Sequence, residues 1–136
     1  MTRVGTNFDI HVPFVEHLGL RLLEKDDGRS LIQFDPRPEH FNSWKGVHGG
    51  VLLSVLDVAL SSAARSLDPA CIGATTVEMK TNFLAAATGR FLTEGRAQRA
   101  GRSLIFAEGD VRDADGTLLA KASGTFKLLY SKGNEP

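Results

Sequence analysis

The chain has one cysteine, Cys71, in 136 residues. A single thiol cannot form an internal disulfide, so packing must hold the fold, and a reducing compartment is expected. Net charge is also missing: Lys+Arg and Asp+Glu balance to a formal charge of zero. That composition disfavours a dedicated nucleic-acid binder, which is normally basic. The few histidines and the lone cysteine show no metal-ligand spacing. Residues 1–7 carry no apolar core of the signal-peptide kind. Residues 46–64 approach the length of a membrane span, roughly 20 residues. They also contain His48, Asp57, Ser54, Ser61, Ser62 and the Gly49-Gly50 pair, and no second such stretch exists. The expectation is a soluble, cytoplasmic protein.

What is present is ordinary globular composition, 42% hydrophobic and 24% charged. The length suits one core and one domain spanning residues 1–136. Ile10, Phe14, Val15 and Leu18 fall at helical spacing, which predicts a short helix over residues 9–18. Apolar residues on both sides of Asp26-Asp27-Gly28 predict a hairpin with strands near 19–25 and 29–35. Pro36-Arg37-Pro38 ends it, and residues 36–47 read as a loop carrying Phe41 and Trp44. A long helix follows, closing near Leu67 because the residue before Pro69 disfavours helix. Four strands come next, near residues 74–83, 89–98, 102–112 and 117–128. In the first of them Val77, Met79, Thr81 and Phe83 alternate with Glu78, Lys80 and Asn82. Asp113-Ala114-Asp115-Gly116 supplies a hairpin turn, and residues 131–136 form a polar tail. A curved antiparallel sheet wrapped around one long apolar helix accommodates this order. Whatever the sheet leaves bare calls for a second subunit.

Asp57 is the only formal charge between Lys45 and Arg65. A carboxylate is costly to desolvate unless something specific stabilises it. The helix opens on Gly49-Gly50 after His48. Glycines there let a ligand approach unsatisfied backbone N–H groups and the positive end of the helix dipole, which suits a developing negative oxygen. Asp57, nine residues after His48, points to the opposite side and lies roughly 13 Å further along the axis. One helix cannot easily aim both features at one substrate. Two antiparallel copies can, so this geometry predicts a composite site between subunits.

Asn42-Ser43-Trp44-Lys45-Gly46-Val47-His48-Gly49-Gly50, with Asp57 downstream, resembles the hotdog-fold acyl-CoA thioesterases of the phenylacetate-degradation type, within the 4-hydroxybenzoyl-CoA thioesterase superfamily. The likeness rests on the asparagine six residues before the histidine, on His-Gly-Gly, and on the carboxylate nine residues after it. The strand order fits as well. The resemblance implies an α+β hotdog fold and hydrolysis of a small or aromatic acyl-CoA. It implies that Asp57 attacks the thioester or activates water, that the Gly49 N–H polarises the carbonyl, and that Asn42 positions nucleophile or water. A hydroxyl on the strand after the helix is also implied: Thr76, with Thr75 as a competitor. Ser61, one turn beyond the carboxylate, is the position some relatives use. Gly50 joins the substrate-binding set through the glycine pair. His48 orients the loop or lines the site more readily than it acts as base. No metal or cofactor is required, CoA being part of the substrate. The resemblance implies a homodimer, two of which make a tetramer.

Arg90, Arg96, Arg99 and Arg102 fall close together, opposed only by Glu94. Arginine forks suit the phosphates of CoA. Arg99 and Arg102, at a predicted turn, are the candidates, with Arg102 first. Structural readings stand beside these: a satisfied helix carboxylate for Asp57, a turn for Asn42, packing for Phe41 and Trp44, and a small inert side chain for Cys71. Two other functions compete, a hotdog hydratase or dehydratase acting on acyl thioesters and a non-catalytic acyl-CoA-binding module.

Overall fold

In the computed structural model, described over residue 8 and residues 10–133, two helices and six strands follow one another as the alternation predicts. Residues 1–7, Asp9 and the last part of the polar tail lie outside the described residues. Helix α1 is Pro13–Leu18. It begins at Pro13 rather than earlier, since proline's fixed φ and missing N–H suit the first helical turn. Gly19, at φ 78°, ends it in the left-handed region. Strands β1 (Arg21–Asp26) and β2 (Arg29–Phe34) form the first hairpin around Asp27 and Gly28, both at positive φ.

A short 3-10 turn at Pro38–His40 leads into a narrow loop closed by the bridge between Phe41 and Val47. Helix α2 is Gly49–Arg65. Strands β3 (Gly73–Phe83), β4 (Phe91–Arg99), β5 (Leu104–Asp113) and β6 (Leu118–Leu129) complete the chain. All pairings are antiparallel, and the sheet order is β1-β2-β4-β5-β6-β3. β1 and β3 are therefore the edges. The sheet curves around α2, whose Leu52, Val55, Leu56, Ala59, Leu60 and Ala63 are buried against it. This is the hotdog architecture.

The close seating of helix on sheet has a local cause. Gly95 on β4 and Gly109 on β5 pair across the sheet, with Ala122 of β6 beside Gly109. A Cβ at Gly95 would stand 2.5 Å from the Ala59 carbonyl oxygen. One at Gly109 would stand 2.6 Å from Leu60 Cδ1. The backbone of α2 thus rests almost directly on the strands.

The helix is not covered on every side as its composition predicts. Leu53 is 40% exposed and Asp57 half-buried, on a face that no strand covers. Beside that face runs β3, whose outer edge has no partner strand among the described residues.

Candidate active site

Asp57 and Thr76 meet. The Thr76 hydroxyl donates to Asp57 Oδ1 at 2.5 Å. A β-bulge arranges this. β3 pairs regularly with β6 except between Thr76 and Glu78, where Val77 is the extra residue. Thr76 lies opposite Phe126, on the side facing α2, while Glu78 lies opposite Thr125 and accepts a hydrogen bond from its hydroxyl at 2.8 Å. In an unbroken strand residues 76 and 78 would share one face. Thr75, opposite Lys127, points to the outer face of the sheet, away from Asp57. No cation pairs with Asp57 among the described residues. Ser61 sits one turn further along the same helix, half-buried.

The other expected residues gather at the start of α2. His48 is the N-cap: its ring Nδ1 accepts from the Gly50 N–H at 2.8 Å. That bond requires an unprotonated Nδ1. A Cβ at Gly50 would lie 3.0 Å from the same Nδ1, so the second glycine keeps room for the cap. The sequence reading placed Gly50 among the substrate-binding donors, but its N–H is already committed to His48. The Gly49 N–H has no acceptor among the described residues. Behind the cap, the His48 N–H bonds the His40 carbonyl at 2.8 Å. His40 Nδ1 accepts from the Arg37 N–H at 2.9 Å, and burial holds the His40 imidazole below its usual pKa.

Asn42 shapes its own loop. Its Oδ1 accepts from the N–H groups of Trp44 at 2.8 Å and Gly46 at 3.1 Å. That leaves its NH2 group for other work. Asn42 and Gly49 line one pocket of about 360 Å³, together with Val47, Leu52, Phe83 and residues 84–87. Asp57 is not among its walls. Gly49 and Asp57 are eight residues apart on one helix, about 12 Å along its axis. The expected residues therefore form two clusters on each chain, Asn42–His48–Gly49 and Asp57–Thr76. Trp44, read as packing, is 88% exposed, while Phe41 does pack against the core.

The arginines separate by partner. Arg90 pairs with Asp35, and Arg96 with Glu94, Asp110 and Glu108. Arg99 bonds the carbonyls of Gly101 and Arg102 and reaches Asp68 Oδ2 at 3.4 Å. Its fork holds the turn rather than standing free for phosphate. Asp68, held below the usual carboxylate range chiefly by the Tyr130 hydroxyl, anchors that network. Arg102 is exposed and unpaired among the described residues.

A larger cavity, about 490 Å³, lies at the far end of α2 beside Cys71 and Arg65 and holds none of the expected residues. Burial raises the Cys71 thiol pKa, which suits an inert side chain. Among the described residues no helix is long and apolar enough to cross a membrane, and no group of three metal-ligating side chains converges. Sequence reasoning missed Phe83 and the alanine run as pocket walls. The signal was there, an apolar stretch directly after a strand with no polar turn residue in it.

Residues 45–120 match the family model described as the thioesterase superfamily. A candidate esterase of Saccharolobus solfataricus is 35% identical over 85% of this chain and 82% of its own length. The medium/long-chain acyl-CoA thioesterase YigI of Salmonella typhimurium is 26% identical, over 92% of this chain and 91% of its own. The PaaI protein of the Escherichia coli phenylacetic acid degradation operon superposes with a TM-score of 0.78. It is 17% identical and covers 85% of this chain and 83% of that one, which is a likeness of fold.

Proposed function

The chain belongs to the thioesterase superfamily and is a thioester hydrolase of the hotdog fold, and from that premise we propose that it hydrolyses small or aromatic acyl-CoA thioesters to free acid and CoA. Asp57 acts as nucleophile or general base. The Gly49 N–H polarises the thioester carbonyl, with the Asn42 NH2 group beside it at the same pocket. Thr76 orients Asp57, and Ser61 borders it. The observation that carries the reading is the state of Asp57. It is a half-buried carboxylate whose one bond among the described residues is to a neutral hydroxyl, so its charge is not neutralised by a cation and its Oδ2 is available. His48 holds the helix start in place rather than moving a proton, because its Nδ1 already accepts from Gly50.

The working unit is a homodimer with a site shared between subunits, and two dimers join as a tetramer. The separation of Gly49 from Asp57 on one helix supports the shared site. So does the β3 edge, which has no partner strand among the described residues and where Val77 is more than half exposed. The exposed Leu104, Phe106 and Leu129 give the dimers apolar surface for further assembly. Arg102 meets the phosphates of the CoA tail.

The test is CoA release, followed with a thiol reagent, from a panel of acyl-CoAs. Wild-type protein should release CoA, and Asp57→Asn should lose activity by roughly 10²–10⁴-fold while still folding and binding substrate. An active Asp57→Asn variant overturns the mechanism. Water addition across an enoyl-CoA, or tight binding without turnover, overturns the activity.

A further inference from the structure

We propose that the pocket at the start of α2 takes the acyl group, that it admits only uncharged apolar acyl groups, and that Phe83 sets their length; this rests on the acyl-CoA reading above. Its one polar side chain is Asn42, whose Oδ1 is committed to the Trp44 and Gly46 N–H groups. Part of the far wall's backbone is committed as well. The Ala87 carbonyl accepts from the Val47 N–H at 2.8 Å, and the N–H groups of Leu84 and Ala85 both reach the Leu119 carbonyl. At the helix start the Gly49 N–H and the Asn42 NH2 group remain, both suited to the thioester oxygen.

Beyond that oxygen the lining side chains offer no hydrogen bonds. The pantetheine arm carries two amides, which would lose water there with no side chain to replace it. The acyl side of the thioester has no such need if it is hydrocarbon. An acyl group ending in a carboxylate would be desolvated with no cation among the pocket's walls.

Depth follows from the same walls. At about 360 Å³ the pocket is near the lower end of ligand cavities, ~300–1,000 Å³. Alanines at 85, 86 and 87 keep one side shallow. The Phe83 ring stands against Gly49, 3.4 Å from where a Cβ would be, and is half-exposed at the mouth. Hydrogen bonds to Leu119 and Val47 fix this segment, so the ring and not a shifting loop limits the chain.

The experiment measures kcat/KM for CoA release from saturated acyl-CoAs, acetyl to palmitoyl, with benzoyl-CoA and succinyl-CoA added. Wild-type protein, Phe83→Ala and Ala86→Phe are compared. Butyryl-CoA and succinyl-CoA match in carbon count and differ in the terminal carboxylate; butyryl-CoA should be favoured by at least ~100-fold, in line with the steep rejection of a group whose polar atoms find no partner. Phe83→Ala should move the optimum to longer chains, changing the long-to-short ratio by about 10-fold or more, since each methylene in an apolar pocket is worth roughly 10–200-fold. Ala86→Phe should move it the opposite way. Succinyl-CoA turned over as fast as butyryl-CoA, or a length profile unmoved in both variants, overturns the inference while leaving the hydrolase standing. Wild-type protein that releases CoA from no substrate overturns the functional reading and this one together.

Discussion

On the proposed mechanism, the ring of His48 decides which of two adjacent glycines faces the substrate. By accepting from the Gly50 N–H it leaves the Gly49 N–H as the donor at the pocket. Asparagine is among the best N-caps, so His48→Asn should keep the helix start and most of kcat. His48→Leu removes the acceptor. Thermal unfolding should show a loss of about 1 kcal/mol, and kcat should fall more than KM rises. A general base at this position predicts otherwise, with His48→Asn as inactive as His48→Leu. Thr76 is a second case. Thr76→Ser keeps the hydroxyl on Asp57 and should retain activity, whereas Thr76→Val should lose about 10-fold or more in kcat through a carboxylate left to rotate. Steady-state kinetics on the two variants separates them. That Asn42, His48 and Gly49 gather at the helix start, with Asp57 further along, was legible in the sequence because their spacing is local. The choice between Thr75 and Thr76 was not, because the bulge at Val77 that turns one inward depends on pairing with β6. Nor could the sequence show that Gly50 and Arg99 are already committed, since hydrogen bonds to a neighbouring ring or turn leave no periodic trace.

The strands were legible as elements because alternation and turn residues act over a few positions. The Asp-Gly turns in particular bracket β1, β2, β5 and β6 as expected. Helix α2 ends at Arg65, two residues before the proline-based boundary near Leu67, with residues 66–68 closing in tighter turns: the Asp68 N–H bonds the Arg65 carbonyl and the Leu67 N–H that of Ala64. The seating of α2 on the sheet was not legible. Mid-strand glycines normally weaken a strand, and only contact with the helix gives them a purpose. Gly95 tests that contact. Replacing a glycine by alanine at an unstrained backbone usually stabilises by about 0.4–1 kcal/mol through the unfolded chain. Here the added Cβ would meet the Ala59 carbonyl at 2.5 Å and the Ser30 hydroxyl at 2.6 Å. That hydroxyl donates to the same carbonyl, so helix and sheet are locked at this point. Overpacking typically costs about 1–3 kcal/mol, which outweighs the entropic gain. Gly95→Ala should therefore lower the urea midpoint, and a raised midpoint would show that the helix has room to lift.

At the scale of the whole molecule, the proposed mechanism needs the two clusters on each chain to meet in one working site. α2 carries the Gly49 N–H at its start and Asp57 about two turns later, about 12 Å further along the axis. Substrate held at the pocket of one chain is thus within reach of that chain's amide and too far along the helix from its carboxylate. In the proposed dimer, a second chain running antiparallel brings its own Asp57 and Thr76 to the first chain's Gly49. Gly49→Pro removes the N–H and sets its ring in ordinary contact with Phe83. Proline is favoured at the first helical position, and His48 at φ −57° and ψ 137° already has the extended backbone that precedes proline comfortably. Each homodimer, Asp57→Asn or Gly49→Pro, should be nearly inactive. In a heterodimer, purified through two different tags, one shared site combines the intact amide of one chain with the intact carboxylate of the other, and the second site carries both lesions. Such heterodimers should recover about half of the wild-type rate per dimer, as two-fold symmetry requires. If each chain instead completed its own site, both sites in the heterodimer would carry one lesion, and the rate would stay at the level of the parents.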